Sequence, residues 1–173
     1  MAEKIRDGKK RMKKGEFHFC PYCGSPVKLE FRFGKVRSGC SECNWVHFVD
    51  PKVAVAVVLT STDGILLIKR DNSPFRGSWT LPAGFVDGGE DPRRAAEREC
   101  KEETGLVVEV QELIDIYYGK DHERGADFVL FYGAKLVGGN LVAGDDASDA
   151  KWYKKGEYPE LAFRSTSYIL DRQ

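Results

Sequence analysis

What this chain lacks narrows its class first. No apolar run approaches the roughly 20 residues that a membrane span requires, and the N-terminal stretch MAEKIRDGKKRMKKGEF has no hydrophobic centre of the kind a secretory signal carries. The same stretch holds Glu3, Asp7 and Glu16, which organelle transit peptides avoid. These absences set the expectation of a cytoplasmic protein without a membrane partner. Net charge is missing too: 27 Lys and Arg stand against 27 Asp and Glu. The chain as a whole therefore offers no electrostatic pull toward nucleic acid, and any such attraction has to be local. No internal repeat or low-complexity tract is present.

What is present, 173 residues with 42% hydrophobic content, suffices for one sizeable core and a small appended module. The segmentation expected is a basic tail over 1–14, a cysteine module over 15–49 and a larger domain over 50–173, with Pro51 at the boundary.

Four of the five cysteines form two knuckles. Cys20 and Cys23 stand in CPYCG, and Cys40 and Cys43 stand in CSECN sixteen residues later. Paired CxxC units at this separation predict a four-cysteine zinc ribbon. Gly24 and Asn44 follow the second cysteine of each knuckle, where the tight reversal calls for left-handed backbone. A redox dithiol or a pair of disulfides is the alternative. Four thiolates close a tetrahedral site, so this zinc would be structural and His18 and His47 would be ordinary packing or surface residues. Cys100, the fifth, is expected to pack in a core, because its neighbours are carboxylates that disfavour a reactive thiolate.

Downstream of Pro51, KVAVAVVLTS and ILLIKR predict a hairpin about Asp63-Gly64. LVVEVQELIDIYY, DFVLFYGAKLV and AKWYKK predict further strands, and STSYIL the beginning of a C-terminal helix. Between them, Asp91 and Pro92 open a helix that Gly105 closes. Strands interleaved with two helices predict an α+β domain with a mixed sheet between the helices.

That first helix ends on an unfavourable arrangement. Glu99, Glu102 and Glu103 crowd its last turn, where each opposes the macrodipole by about 0.3–1 kcal/mol and each like-charged pair costs roughly another 0.2–0.5 kcal/mol. Their i, i+3, i+4 spacing confines them to a stripe about 100° wide, an oxygen-rich site for a hard divalent cation such as Mg²⁺ or Mn²⁺. Ala95 and Ala96, one turn earlier on the same side, would leave room above it. Arg98 beside the stripe can pair with one carboxylate, and Glu90 in the glycine-rich approach PAGFVDGGE can reach that arginine. A solvated charged face is the bland alternative.

The spacing Gly84, five residues, Glu90, seven residues, Arg98-Glu99-Cys100, one residue, Glu102-Glu103, one residue, Gly105-Leu106 resembles the Nudix box at every fixed position. The resemblance extends from about Pro51 to the C-terminus. It implies a Nudix-type α/β/α sandwich and Mg²⁺- or Mn²⁺-dependent hydrolysis of a diphosphate linked to another moiety. It further implies that Glu99, Glu102 and Glu103 ligate metal, that the Gly84 carbonyl adds a ligand, and that Arg98 with Glu90 braces the box. Glu123, Asp145 and Asp146 are loop candidates for the group that accepts a proton from the attacking water.

A cysteine ribbon ahead of such a domain resembles two branches of the family, the NADH pyrophosphatases and a group that includes plant FAD and ADP-ribose pyrophosphatases. The SQPWPFPxS motif of the first is absent here, while GSWTLPAGFVDGGE and LAFRS are of the second type. The expected substrate is a small nucleotide, ADP-ribose, FAD or NAD(H), cleaved to AMP and a phosphorylated product. The alternatives are a nucleoside triphosphate or RNA-cap pyrophosphohydrolase and a non-catalytic nucleotide sensor that binds nucleic acid. A homodimer is left open. Trp79 and Phe163 are expected to line the nucleotide pocket, chosen over Phe75, Tyr117 and Tyr118, and Arg70, Arg76 and Arg164 to contact phosphate.

Overall fold

A computed structural model describes residues 17–173; the basic tail expected over 1–14 lies outside the described residues. The chain divides into two compact units between Asp50 and Pro51. In the first, β1 (Lys28–Arg32) and β2 (Lys35–Gly39) form an antiparallel hairpin. Its two-residue turn places both Phe33 and Gly34 at positive φ, the twist that suits a tight hairpin.

The second unit contains β3 (Val53–Ser61), β4 (Gly64–Arg70), β5 (Trp79–Thr80), β6 (Ala83–Phe85), α1 (Pro92–Thr104), β7 (Leu106–Tyr118), β8 (Phe128–Gly139), β9 (Ala147–Tyr153) and α2 (Arg164–Leu170). The sheet runs β5-β4-β3-β8-β7, with β6 added to β3 and β9 to β4. Strands β3 and β8 are parallel, and the other ladders are antiparallel. This is the mixed sheet expected from the sequence.

Period-two alternation explains why the sheet takes a helix on each face. From β3, Val55, Val57 and Leu59 enter one core cluster with Ala95, Ala96 and Cys100 of α1. Ala56 and Val58, pointing the opposite way, enter a second cluster with Ile169 and Leu170 of α2. The same split divides Leu66 from Leu67 and Tyr132 from Phe131. A strand buried on both faces reads as a nearly continuous apolar run, as AVAVVL does. Ala95 and Ala96 thus serve the interior: both are fully buried beneath the helix instead of leaving room above the acidic stripe. Cys100 is buried beside them, as the packing reading had it. No helix among the described residues is long and apolar enough to cross a membrane.

Candidate active site

Local signals set the helix that carries the site. Asp91 accepts a hydrogen bond from the Arg93 N–H at 2.8 Å, Pro92 occupies the first turn, and Gly105 takes the left-handed C-cap conformation at φ 69°. Between these ends, the register fixes which way each glutamate points.

Tertiary contacts then grade the three carboxylates. Glu103 is only 4% exposed and its Oε2 accepts the Ala83 N–H at 2.8 Å, which ties the helix end to β6. The Glu99 side chain is 13% exposed and that of Glu102 46%. Next to Ala83, Gly84 presents its bare α-carbon to Glu99; a β-carbon built there would collide with the Glu99 carboxylate. Any larger residue there would force the Glu99 carboxylate to move. Arg98 gathers more partners than its sequence position implied. It donates to both oxygens of Glu90 at 2.9 and 3.0 Å, to Glu99 at 2.7 Å, to Glu102 at 3.0 Å and to the Phe85 carbonyl at 3.2 Å.

The electrostatics follow from these positions. Burial pushes the Glu103 carboxyl up to about 8 against the lowering effect of the Ala83 N–H, and burial also raises Glu99 against the pull of Arg98. Glu90, hydrogen-bonded by Arg98, is held down at about 2. Burial lowers Arg70, a half-buried cation that faces Glu103 and Asp146. Glu99, paired with Arg98, and Glu103, which has only the charge of Arg70 to offset its own, are both partly desolvated, and burial raises both. The carboxylate oxygens of Glu99, Glu102 and Glu103 and the Gly84 carbonyl oxygen are donors of the hard type that Mg²⁺ or Mn²⁺ prefers.

A cavity of about 930 Å³ in the second unit takes in this acidic end and the loops opposite it. Glu123, Asp145 and Asp146, the three candidate proton acceptors, all line it, and so do Arg70 and Phe163. Arg70 is held by the Asn72 side chain at 2.6 Å and the Pro74 carbonyl at 3.0 Å, and its guanidinium lies 4.9 Å from the centre of the Phe163 ring. Asn72 in turn donates to Asp146.

Trp79, expected to line the pocket, is instead buried in the second core cluster, edge-on to Tyr153 at 5.0 Å. Successive residues of a strand face opposite sides, so it is the neighbouring Thr80 that reaches the cavity. Arg76 is not among the lining residues; it is exposed and paired with Asp71 at 2.8 Å. Arg164 pairs with Asp121 at 3.2 Å, and Tyr117 packs against Tyr168. Sequence reasoning missed Lys52, Asn72 and His122, all of which line the cavity. Lys52 follows the boundary proline and His122 sits in a polar loop, so neither carries a periodic signal.

In the first unit, the sulfurs of Cys20, Cys23, Cys40 and Cys43 lie within 4.8 Å of one another, and no other metal-sized group of His, Cys, Asp or Glu occurs among the described residues. Gly24 and Asn44 adopt the left-handed conformation anticipated for the knuckles, at φ 74° and 59°. The thiols are free, with Cys20 to Cys43 at 3.5 Å and Cys23 to Cys40 at 3.6 Å. The Ser25 backbone and hydroxyl draw Cys23 down to about 6. His47 packs against the rings of Phe17 and Trp45, at 4.6 and 5.8 Å.

Comparison with known proteins places this geometry. The NUDIX domain model matches residues 50–172. The chain is 41% identical over 125 residues to an ADP-ribose pyrophosphatase of Methanocaldococcus jannaschii, covering 72% of this chain and 74% of that protein. It is 29% identical over 147 residues to the NAD-capped RNA hydrolase NudC of Vibrio atlanticus, covering 83% of this chain but 52% of the relative. A crystal structure of a NUDIX hydrolase from Nitrosomonas europaea superposes with a TM-score of 0.79 at 32% identity, covering 90% of this chain and 89% of that one. The protein belongs to the Nudix family and is a Nudix hydrolase, a class of enzymes that generally use divalent metals.

Proposed function

We propose that the protein hydrolyses the diphosphate bridge of a nucleoside diphosphate linked to a second moiety, with ADP-ribose as the leading substrate and FAD and NAD(H) behind it, releasing AMP and a phosphorylated product. The observation that carries this reading is the cavity itself. Its acidic end suits phosphate-bound cations, its walls add aromatic and cationic side chains, and its volume is at the upper end of small-molecule sites, enough for a nucleotide with a second moiety attached. The similarity to the Methanocaldococcus ADP-ribose pyrophosphatase supports the choice among substrates.

Mg²⁺ or Mn²⁺ held by Glu99, Glu102, Glu103 and the Gly84 carbonyl would neutralise the diphosphate and favour ionisation of the attacking water. The chain's own groups do the rest. Glu103 is fixed by the Ala83 N–H, and Arg98 keeps Glu99 and Glu102 side by side while Glu90 anchors it from the approach loop. Arg70 and Lys52 are cations available to the phosphates. Water adds to one phosphorus, the bond to the bridging oxygen breaks, and the second phosphate departs with it. Glu123, Asp145 or Asp146 takes up the water's proton; Asp145 lies close enough to Glu99 to raise its pKa.

The four cysteines we assign to a structural Zn²⁺ with no open coordination position. A site of four thiolates suits the reducing conditions of cytoplasm, where we place the protein. A second reading, hydrolysis of a nucleotide cap on RNA, is favoured by one fact: similarity to NudC extends over 83% of the chain and so reaches beyond the second unit. A product screen separates the readings. ADP-ribose, FAD, NADH, nucleoside triphosphates and NAD-capped RNA are each incubated with Mg²⁺ and Mn²⁺. AMP plus ribose 5-phosphate from ADP-ribose is the expected result. Pyrophosphate from a triphosphate, with no cleavage of ADP-ribose, FAD or NADH, would overturn it.

A further inference from the structure

At the end of β4, a run of hydrogen bonds links a cation to an acid through an amide. The Arg70 Nη2 donates to the Asn72 Oδ1 at 2.6 Å, and the Asn72 Nδ2 donates in turn to the Asp146 carboxylate. Arginine can only donate and an ionised aspartate can only accept, so the amide has a single orientation that satisfies both. The Arg70 Nε donates to the Pro74 carbonyl at 3.0 Å. Both acceptors of this guanidinium are therefore neutral, while the carboxylates of Glu103 and Asp146 act on it through charge alone.

A bulge in the sheet brings these groups together. Lys69 stands opposite Asp149 and Arg70 opposite Ala147, so Ser148 is an extra residue in β9 and the register shifts by one. With that shift the Asp71 N–H donates to the Asp146 carbonyl at 2.8 Å, which leaves Asn72 within reach of the Asp146 side chain. The segment ahead of Asp146 is held at its other end by α1, whose Thr104 and Glu103 carbonyls accept the N–H groups of Val142 and Gly144 at 2.9 and 3.1 Å. Asp146 is thus fixed between the strand that carries Arg70 and the helix that carries the glutamates. Arg70, Asn72 and Asp146 all line the cavity.

We infer that Asn72 is a positioning residue: its amide stands between Arg70 and Asp146 and keeps the cation and the acid from pairing with each other. An arginine and an aspartate held this near would otherwise form the charge-assisted pair that their shapes favour. Arg70 would then be withdrawn from a bound phosphate, and Asp146 from the attacking water. A neutral amide gives each partner one hydrogen bond and cancels neither charge. Alanine at this position would open the gap, and aspartate would hold Arg70 but repel Asp146. This role rests on the proposed reaction for the use made of the two charges, and it adds to that reaction the residue that keeps both available.

The test is calorimetric binding of inorganic pyrophosphate to the full chain with Mg²⁺, for the wild type, Asn72→Ala, Asp146→Asn and the double variant. Pyrophosphate reads the phosphate end alone, so the result stands whichever nucleotide the product screen accepts. Asn72→Ala should weaken binding about tenfold, the equivalent of one charge-assisted hydrogen bond, because Arg70 turns to Asp146. Asp146→Asn removes the competing charge. It should therefore strengthen binding at least about fivefold more in the Asn72→Ala chain than in the wild-type chain. That coupling separates positioning from a merely structural role, which loss of the Asp146 charge would not repair. Asn72→Ala binding pyrophosphate as tightly as the wild type would overturn the inference. So would an equal gain from Asp146→Asn in both chains, and so would a wild type that does not bind pyrophosphate at all.

Discussion

In residues 17–50 the only buried apolar side chains are those of Cys20 and Cys40, while Phe19, Tyr22, Leu29, Phe31, Phe33 and Val36 are exposed, Phe31 by 76%. In Pro51–Gln173 two clusters fill both faces of a sheet. Charge divides the same way. Residues 1–50 hold eleven Lys and Arg against six Asp and Glu, a net of +5, and residues 51–173 hold sixteen against twenty-one, a net of −5. The neutrality of the whole chain is a cancellation between two oppositely charged units. A segment this short cannot bury enough surface to hold a fold by burial alone. A zinc ion held by the four sulfurs would supply that order, whereas the larger unit is held by its core, which tolerates an electrostatically unfavourable helix end.

The largest effect that would sharpen this contrast is loss of the ribbon's metal. Metal analysis of protein prepared without chelator should find about one zinc per chain, and stripping it should unfold the first unit outright, since structural zinc contributes on the order of 10–16 kcal/mol. Amide exchange should show β1 and β2 losing protection while β3 and β8 keep theirs. A hairpin that stays protected after stripping would break the comparison.

Next in size, Glu99→Gln and Glu103→Gln should each lower kcat by about a hundredfold or more by removing a cation ligand. Metal-free Glu103→Gln should melt no lower than the wild type, because burial already holds this carboxyl largely neutral near pH 7 and an amide oxygen remains to accept the Ala83 N–H. Mg²⁺-dependent turnover near normal in both variants would defeat the metal-site assignment. Gly84→Ala comes third. Its methyl group meets the Glu99 carboxylate, so turnover should fall about tenfold, with no change in zinc content or in protection of the first unit.

The smallest effect concerns acid. Glu90 is held at about 2 in the fold by its hydrogen bonds from Arg98, well below the ordinary glutamate value of 4.5. Because the folded value is the lower one, the stabilisation is fully present above pH 4.5 and is lost as pH falls toward 2. In chelator-treated protein, Glu90→Gln should lie slightly below the wild type in Tm at pH 6, with the gap closing between pH 4.5 and 2. A gap that widens on acidification would contradict the Arg98 pairing.

Parts of the site were legible because they depend on neighbours in sequence. Asp91, Pro92 and Gly105 mark both ends of α1, LVVEVQELIDIYY coincides with β7, and two CxxC units announce the sulfur cluster. Strands β5 and β6, two and three residues long, are too short for periodicity to reveal. Trp79 and Phe163 are both aromatic residues beside chemically suggestive motifs, and nothing local says that one faces the core and the other the cavity. His122 follows Asp121, whose carboxylate accepts the Arg164 N–H at the start of α2, 43 residues away.

The sequence by itself determined the helical spacing that aligns Glu99, Glu102 and Glu103 and the knuckle spacing that pairs Cys20 with Cys23 and Cys40 with Cys43, because both follow from backbone geometry over a few residues. Only the tertiary structure decided which glutamate is buried, that Gly84 lies against Glu99, that Arg98 serves three carboxylates, and that His122 and Phe163 line one cavity. Those outcomes depend on desolvation and on contacts between segments distant in sequence, which exist only once the sheet has brought the segments together.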